Sequence, residues 1–209
     1  MKVVLQKGDR IGPGGYGKAY RATEPNSKRD VALKISRASL GIRRPMLQHE
    51  ARVLKLLSGH SGIPEIYGYS RVKHFKMLSM HRYGRTTTDE DNITETDFMT
   101  YIAALEHIHI RGLVHRDIKP NNILFQAPDS WKVCLIDFGL TYPAPSVTQV
   151  AESCSSSLSE LTTVFGTLFY FIPLSYNMMT LPCLKLTCRD DLESLAYTLL
   201  FLLRGSPPW

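Results

Sequence analysis

Between residues 115 and 139 the chain collects side chains that seldom fall together by accident. The run His115-Arg116-Asp117-Ile118-Lys119-Pro120-Asn121-Asn122 holds a carboxylate, an ammonium and a carboxamide, and Asp137-Phe138-Gly139 adds a second carboxylate after a short apolar stretch. A lone Asp in a loop is usually a turn residue. This set together can take up a hydroxyl proton, hold a phosphate and ligate magnesium.

Such groups need elements to hold them, and the sequence around them supplies the signals. Arg10-Ile11-Gly12-Pro13-Gly14-Gly15-Tyr16-Gly17-Lys18-Ala19-Tyr20 contains G-x-G-x-x-G. A dinucleotide-binding turn has the same spacing but opens a helix, whereas Lys18 to Ala22 reads as a strand, so a strand–loop–strand hairpin is expected. Its glycines let backbone amides approach phosphate oxygens with no Cβ in the way. Pro13 removes one such donor and stiffens the loop. Val31 to Ile35 is a strand interrupted only by Lys34. A helix from about Pro45 to Leu57, with Met46, Val53, Leu54 and Leu57 on its buried face, carries Glu50, which taken alone would be a surface charge. Strands follow at Ile66 to Ser70 and Phe75 to Met80.

Thr94-Glu95-Thr96-Asp97 reads as a capping box. The helix after it places Phe98, Tyr101, Ile102, Leu105, Ile108 and His109 on one face and stops at Gly112. His107 and His109 are two apart and share no face, so they read as core or surface histidines rather than metal ligands. Ile123-Leu124 and Val133 to Ile136 are short strands that would present the loop and Asp137. Leu192 to Leu203 is apolar nearly all round, which suits a buried helix.

Composition narrows the class. At 209 residues there is room for one large domain or two small lobes. The longest apolar run, Leu195 to Leu203, is shorter than the roughly 18–20 residues of a membrane helix, and Met1 to Gln6 lacks the pattern of a secretory signal. Cys134, Cys154, Cys183 and Cys188 show no metal-binding spacing, so reduced thiols and an intracellular place (cytoplasm, nucleus or both) are expected. The net charge of +6 is scattered apart from Arg43-Arg44 and Arg71 to Lys76, which favours a solvated basic surface over a nucleic-acid groove.

These motifs resemble the protein kinases: the glycine loop, Val31-Ala32-Leu33-Lys34, His115 to Asn122 and Asp137-Phe138-Gly139 all fit that family's pattern. Arg189-Asp190-Asp191-Leu192-Glu193-Ser194-Leu195, Gly205-Ser206-Pro207-Pro208-Trp209 and the Gly62-Ile63-Pro64 turn are similar to the casein kinase 1 group in particular. The resemblance, which covers about Leu5 to Trp209, implies an α+β, two-lobed kinase-like fold. Residues 1–80 would form a small β-rich lobe, 81–84 a hinge, and 85–209 a mainly helical, incomplete second lobe. It implies ATP held by Ile11, Gly12, Gly14, Gly17, Ala19, Ala32, Lys34, Glu50, Met80, Tyr83 and Leu124. Lys34 would pair with Glu50, Asp117 would act as base, Lys119 would steady the γ-phosphate, and Asn122 and Asp137 would ligate Mg2+. His115 and Phe138 are expected to pack as supports, and Asp191 to hold the backbone of the catalytic loop.

Departures from the pattern accompany these expectations. Ile172-Pro173-Leu174 stands where most kinases have A-P-E. Thr162 and Phe169 stand where the casein kinase 1 group has basic residues that read acidic substrates, so that preference is not carried over. The stretch from Gly84 to His115 is shorter than the family's, and the family continues beyond the position of Trp209. Ser153 to Ser159 falls in a segment of activation-loop length, and Thr167 near the expected substrate site. Two readings result. One is an enzyme that phosphorylates Ser/Thr on proteins with ATP and Mg2+. The other is a non-catalytic kinase-like module, whose apolar 192–203 helix takes a partner.

Overall fold

The computed structural model describes residues 5–14, 17–37, 46–84, 95–126, 132–145 and 186–205. Residues 1–4, 15–16, 38–45, 85–94, 127–131, 146–185 and 206–209, and with them Thr94, Thr162, Thr167, Phe169 and the serine tract, lie outside the described residues.

Five strands come first: β1 (Gln6–Gly14), β2 (Gly17–Glu24), β3 (Arg29–Arg37), β4 (Ile66–Val72) and β5 (Phe75–His81). They form one antiparallel sheet in the order β1-β2-β3-β5-β4. The two-residue period of a strand separates the faces of β3. Val31 and Leu33 join Ala22 in a small cluster on one side, while Ala32 and Lys34 face the side on which α1 (Met46–Leu56) packs.

Helix α1 buries Leu47, Glu50, Ala51, Val53 and Leu54, with Leu57 fully buried just beyond it. Met46, expected on this face, is only half-buried. Val53, Leu54 and Leu57 are buried as the sequence suggested, and the face also takes in Leu47, Glu50 and Ala51.

The second part is mainly helical. It runs α2 (Glu95–Ile110), β6 (Leu113–Val114), a 3-10 turn (Pro120–Asn122), β7 (Ile123–Phe125), β8 (Val133–Leu135), a second 3-10 turn (Phe138–Leu140), β9 (Tyr142–Pro143) and α3 (Cys188–Arg204). Strands β6 and β9 pair, as do β7 and β8, both antiparallel. Helix α2 stops as expected, Gly112 taking a φ of +68°. Only one stripe of α3 is buried, with Asp191, Leu195 and Thr198, while Leu192 and Leu203 are exposed.

One apolar core runs through both parts. Leu54 and Leu57 of the α1 region, Leu78 and Met80 of β5, Leu105 and Ile108 of α2, Leu135, Phe138 and Leu195 belong to it. Backbone bonds join the parts as well: the Leu135 amide donates to Gly62 O (2.9 Å) and the Gly84 amide to Phe125 O (2.8 Å). Among the described residues no helix is long and apolar enough to cross a membrane.

Candidate active site

Lys34 stands at the centre. Its Nζ lies 2.5 Å from Glu50 Oε1 and 3.1 Å from Asp137 Oδ1, so one ammonium ties β3 to α1 and to the segment after β8. Burial alone would lower the ammonium, but the Glu50 and Asp137 carboxylates outweigh it and hold Lys34 above its ordinary value. Burial pushes Glu50 upward despite Lys34. For Asp137 burial acts in the same sense, yet Lys34 prevails and holds it below the usual carboxylate value. Asp137 sits in the left-handed region at φ +66°, a conformation that costs a residue with a Cβ about 1–2 kcal/mol. The turn Phe138–Leu140 begins directly after it, and Phe138 is anchored in the core with no exposure.

The second layer is the loop after β6. Lys119 Nζ lies 3.0 and 2.9 Å from the two oxygens of Asp117. Asn122 Nδ2 donates to Asp117 O (2.8 Å) and to Asp117 Oδ2 (3.0 Å). Asp117 is thus oriented from two sides while nearly buried. The Ile136 amide donates to Asn122 O at 2.8 Å, which sets Asn122 beside the strand end that carries Asp137.

Asp191, at the head of α3 and 76 positions from His115, accepts the His115 amide (2.7 Å) and, 75 positions from Arg116, the Arg116 amide (2.9 Å). Arg116 also has a left-handed φ of +72°, so these bonds hold a strained loop. His115 is fully buried and packs edge-on against Phe138 at 4.8 Å.

The glycine hairpin is joined through β2 to β3, the strand that carries Lys34. Strands β1 and β2 stay paired to the tip, with Gly14 opposite Gly17 and Gly12 opposite Ala19. A Cβ on Gly17 would sit 2.8 Å from Ile35 O, so only glycine fits there. Ala19 in turn lies opposite Lys34, and Ala32 opposite Met80, which is buried. Ile11 is exposed on β1, and Leu124 pairs with Cys134 in the lower part. The Tyr83 ring meets His81 edge-on at 4.8 Å. Burial raises the Tyr83 hydroxyl above its ordinary value and pushes the Cys134 thiol up to about 12.

The structure therefore gathers Lys34, Glu50 and Asp137 at one point and Asp117, Lys119 and Asn122 at another, joined through the Ile136–Asn122 backbone bond. It also shows partners that sequence reading missed. His109, read as a core or surface histidine, lies 2.9 Å from Asp191 Oδ2. His49 Nε2 lies 2.6 Å from Thr141 O, tying α1 to the residue after the second 3-10 turn. Arg82 pairs with Asp30 at 2.9 Å. A capping box at Thr187 and Asp190 starts α3, and the T-x-x-D spacing would have disclosed it. The three long-range contacts carry no local signal.

Compared with known protein families, residues 5–209 match the protein kinase domain.

Proposed function

The chain belongs to the protein kinase family, and from that premise we propose that it transfers the γ-phosphoryl group of ATP to serine or threonine hydroxyls of proteins, in the manner of the casein kinase 1 group. The observation that carries this reading is the pairing of Lys34 with both Glu50 and Asp137, set against an Asp117 held by Lys119 and Asn122. The Lys119 two residues after Asp117 is the serine/threonine form of the loop, and the Arg189 to Leu195 run supports the group.

In this reading residues 1–80, 81–84 and 85–209 act as first lobe, hinge and second lobe. Ile11, Gly12, Gly14, Gly17, Ala19, Ala32, Met80, Tyr83 and Leu124 enclose the nucleotide. Glu50 keeps the Lys34 ammonium aimed at the α- and β-phosphates, and that ammonium stays charged at any neutral pH. Asp117 accepts the proton of the incoming hydroxyl as its oxygen takes the phosphoryl group. Lys119 lies against Asp117 and offsets charge on the group in transfer.

The donor set fits magnesium. Asp137 and the Asn122 carboxamide are hard oxygen ligands, and Mg2+ is commonly held by one or two carboxylates together with substrate phosphates and water. When bound it offsets charge between the β- and γ-phosphates. Asn122, which donates from Nδ2 to Asp117, would ligate through Oδ1.

A non-catalytic module is the weaker reading, since Lys34, Glu50, Asp117, Lys119, Asn122 and Asp137 are all present. The test is transfer of labelled phosphate from Mg-ATP to casein and to the chain itself, beside Asp117→Asn, with identification of the labelled amino acid. Label on Ser or Thr that disappears in the variant supports the proposal. Equal background from two folded proteins overturns it, and label on Tyr overturns the serine/threonine assignment.

A further inference from the structure

The hairpin that joins β4 to β5 serves none of the chemistry above, and its sequence is Arg71-Val72-Lys73-His74-Phe75-Lys76. No Asp or Glu occurs from residue 66 to residue 88. Residues 71 to 75 are all exposed, Val72 at 50% and Phe75 at 41%. Those two face each other across the strands, as do Arg71 and Lys76 on the opposite face, and Arg37 of β3 lies beside Phe75.

Three features of this tip work against the stability of the fold. Like charges directly opposite in a sheet repel, yet Arg71 faces Lys76. Lys73 is left-handed at φ +52°, where glycine would sit without strain. An apolar pair faces water. None of Arg37, Arg71, Lys73 and Lys76 has a carboxylate partner among the described residues, and Arg71 only turns back toward Lys73 O at 3.4 Å.

We propose that the β4–β5 hairpin docks on an anionic phospholipid bilayer, with Val72 and Phe75 entering the interface and Arg37, Arg71, Lys73 and Lys76 against the headgroups. The shape selects this occupant. A peptide or nucleic-acid strand is bound along a groove or a one-sided track, whereas here a convex tip carries cations on both faces around an apolar pair. A soft, planar array of negative charge satisfies both faces at once, and apolar burial with basic flanks is what interfacial binding rewards. The docking is peripheral, in keeping with the lack of a membrane-crossing helix among the described residues.

The test is co-sedimentation of the full chain with vesicles of phosphatidylcholine alone and with about one-third phosphatidylserine, in moderate salt. It needs no kinase activity, so its outcome is separate from the phosphotransfer assay. Binding is expected to the phosphatidylserine vesicles only. Loss of a single cation weakens it about fivefold, and Arg71→Glu with Lys76→Glu abolishes it. Val72→Ser with Phe75→Ser weakens it at unchanged charge. Lys73→Gly separates docking from folding, since it relieves the left-handed residue and raises the melting temperature while weakening vesicle binding about fivefold. The proposal is overturned by equal sedimentation with both vesicle types, or by variants that bind like the parent. It is also overturned if polyglutamate or single-stranded DNA binds in preference to vesicles and is indifferent to the Val72 and Phe75 changes.

Discussion

A buried imidazole that donates from one nitrogen and accepts at the other has no place for a second proton. His115 is in that state: Nε2 lies 3.2 Å from Ile136 O, and Nδ1 accepts the Asp117 amide at 3.3 Å. Burial holds its pKa below the ordinary histidine value despite Asp191, Asp117 and Asp137 nearby. The unfolded chain therefore binds this proton first, starting near pH 6.5, and the folded state loses stability as pH falls from there toward the depressed folded value. We expect thermal denaturation between pH 8 and 5 to show the melting temperature dropping below about pH 6.5, with stability falling by up to about 1.4 kcal/mol per pH unit for this one group. His115→Phe should flatten that slope, and an unchanged slope would mean that another group titrates. Lys34 obeys the opposite sign, its raised value giving stability that is full at neutral pH and lost only in strong alkali. Lys34→Met should lower phosphate transfer on the order of 10²–10³-fold. It leaves Glu50 buried without its cation, a carboxyl already raised by burial, so the variant should also melt lower.

At the scale of elements, a few positions decide whether strands and helices meet at the site. Gly17 lies in β2 against the backbone of β3, and a methyl group there would press on Ile35 O. Gly17→Ala should destabilise by about 1–3 kcal/mol in urea unfolding. A cost within error would show that the hairpin shifts freely relative to β3. Helix α3 touches no reacting group, yet its Asp191 is the acceptor for two amides of the loop that bears Asp117. Asp191→Ala should cost about 2–6 kcal/mol, from about 1–3 for each amide left without an acceptor. Phosphate transfer should fall with it even where circular dichroism shows the chain folded. Unchanged transfer would mean that the strained Arg116 holds its conformation without α3.

For the molecule as a whole, the core and the Lys34 contacts link sheet and helical part, so a ligand bound against Lys34 and Asp137 should stabilise both together. At 100 times its dissociation constant, Mg-ATP should add about 2.7 kcal/mol, a melting shift of about 5–11 °C for a chain of this size. Chelation of Mg2+ or Asp137→Ala should remove most of that shift. A shift that survives both would place the nucleotide elsewhere than against Asp137.

Local and periodic features can be read along the chain alone. The helical stripe of α2 specifies its buried face, and the order of elements is written in their Gly, Pro and capping signals. The residues of the site were legible because their chemistry demands particular types at short spacings, as in His115 to Asn122 and Asp137 to Gly139. Even so, the α1 stripe gave Val53, Leu54 and Leu57 but not Glu50, because a buried carboxylate does not count as apolar in any pattern of hydrophobicity. Which distant groups meet is settled by how the elements pack. His109 reaches Asp191 across 82 positions, His49 reaches Thr141 across 92, and Arg82 reaches Asp30 across 52. A spacing pattern reports neighbours along one element. Contacts such as these depend on how two elements are brought together by the shared core, and no single element's sequence contains that information.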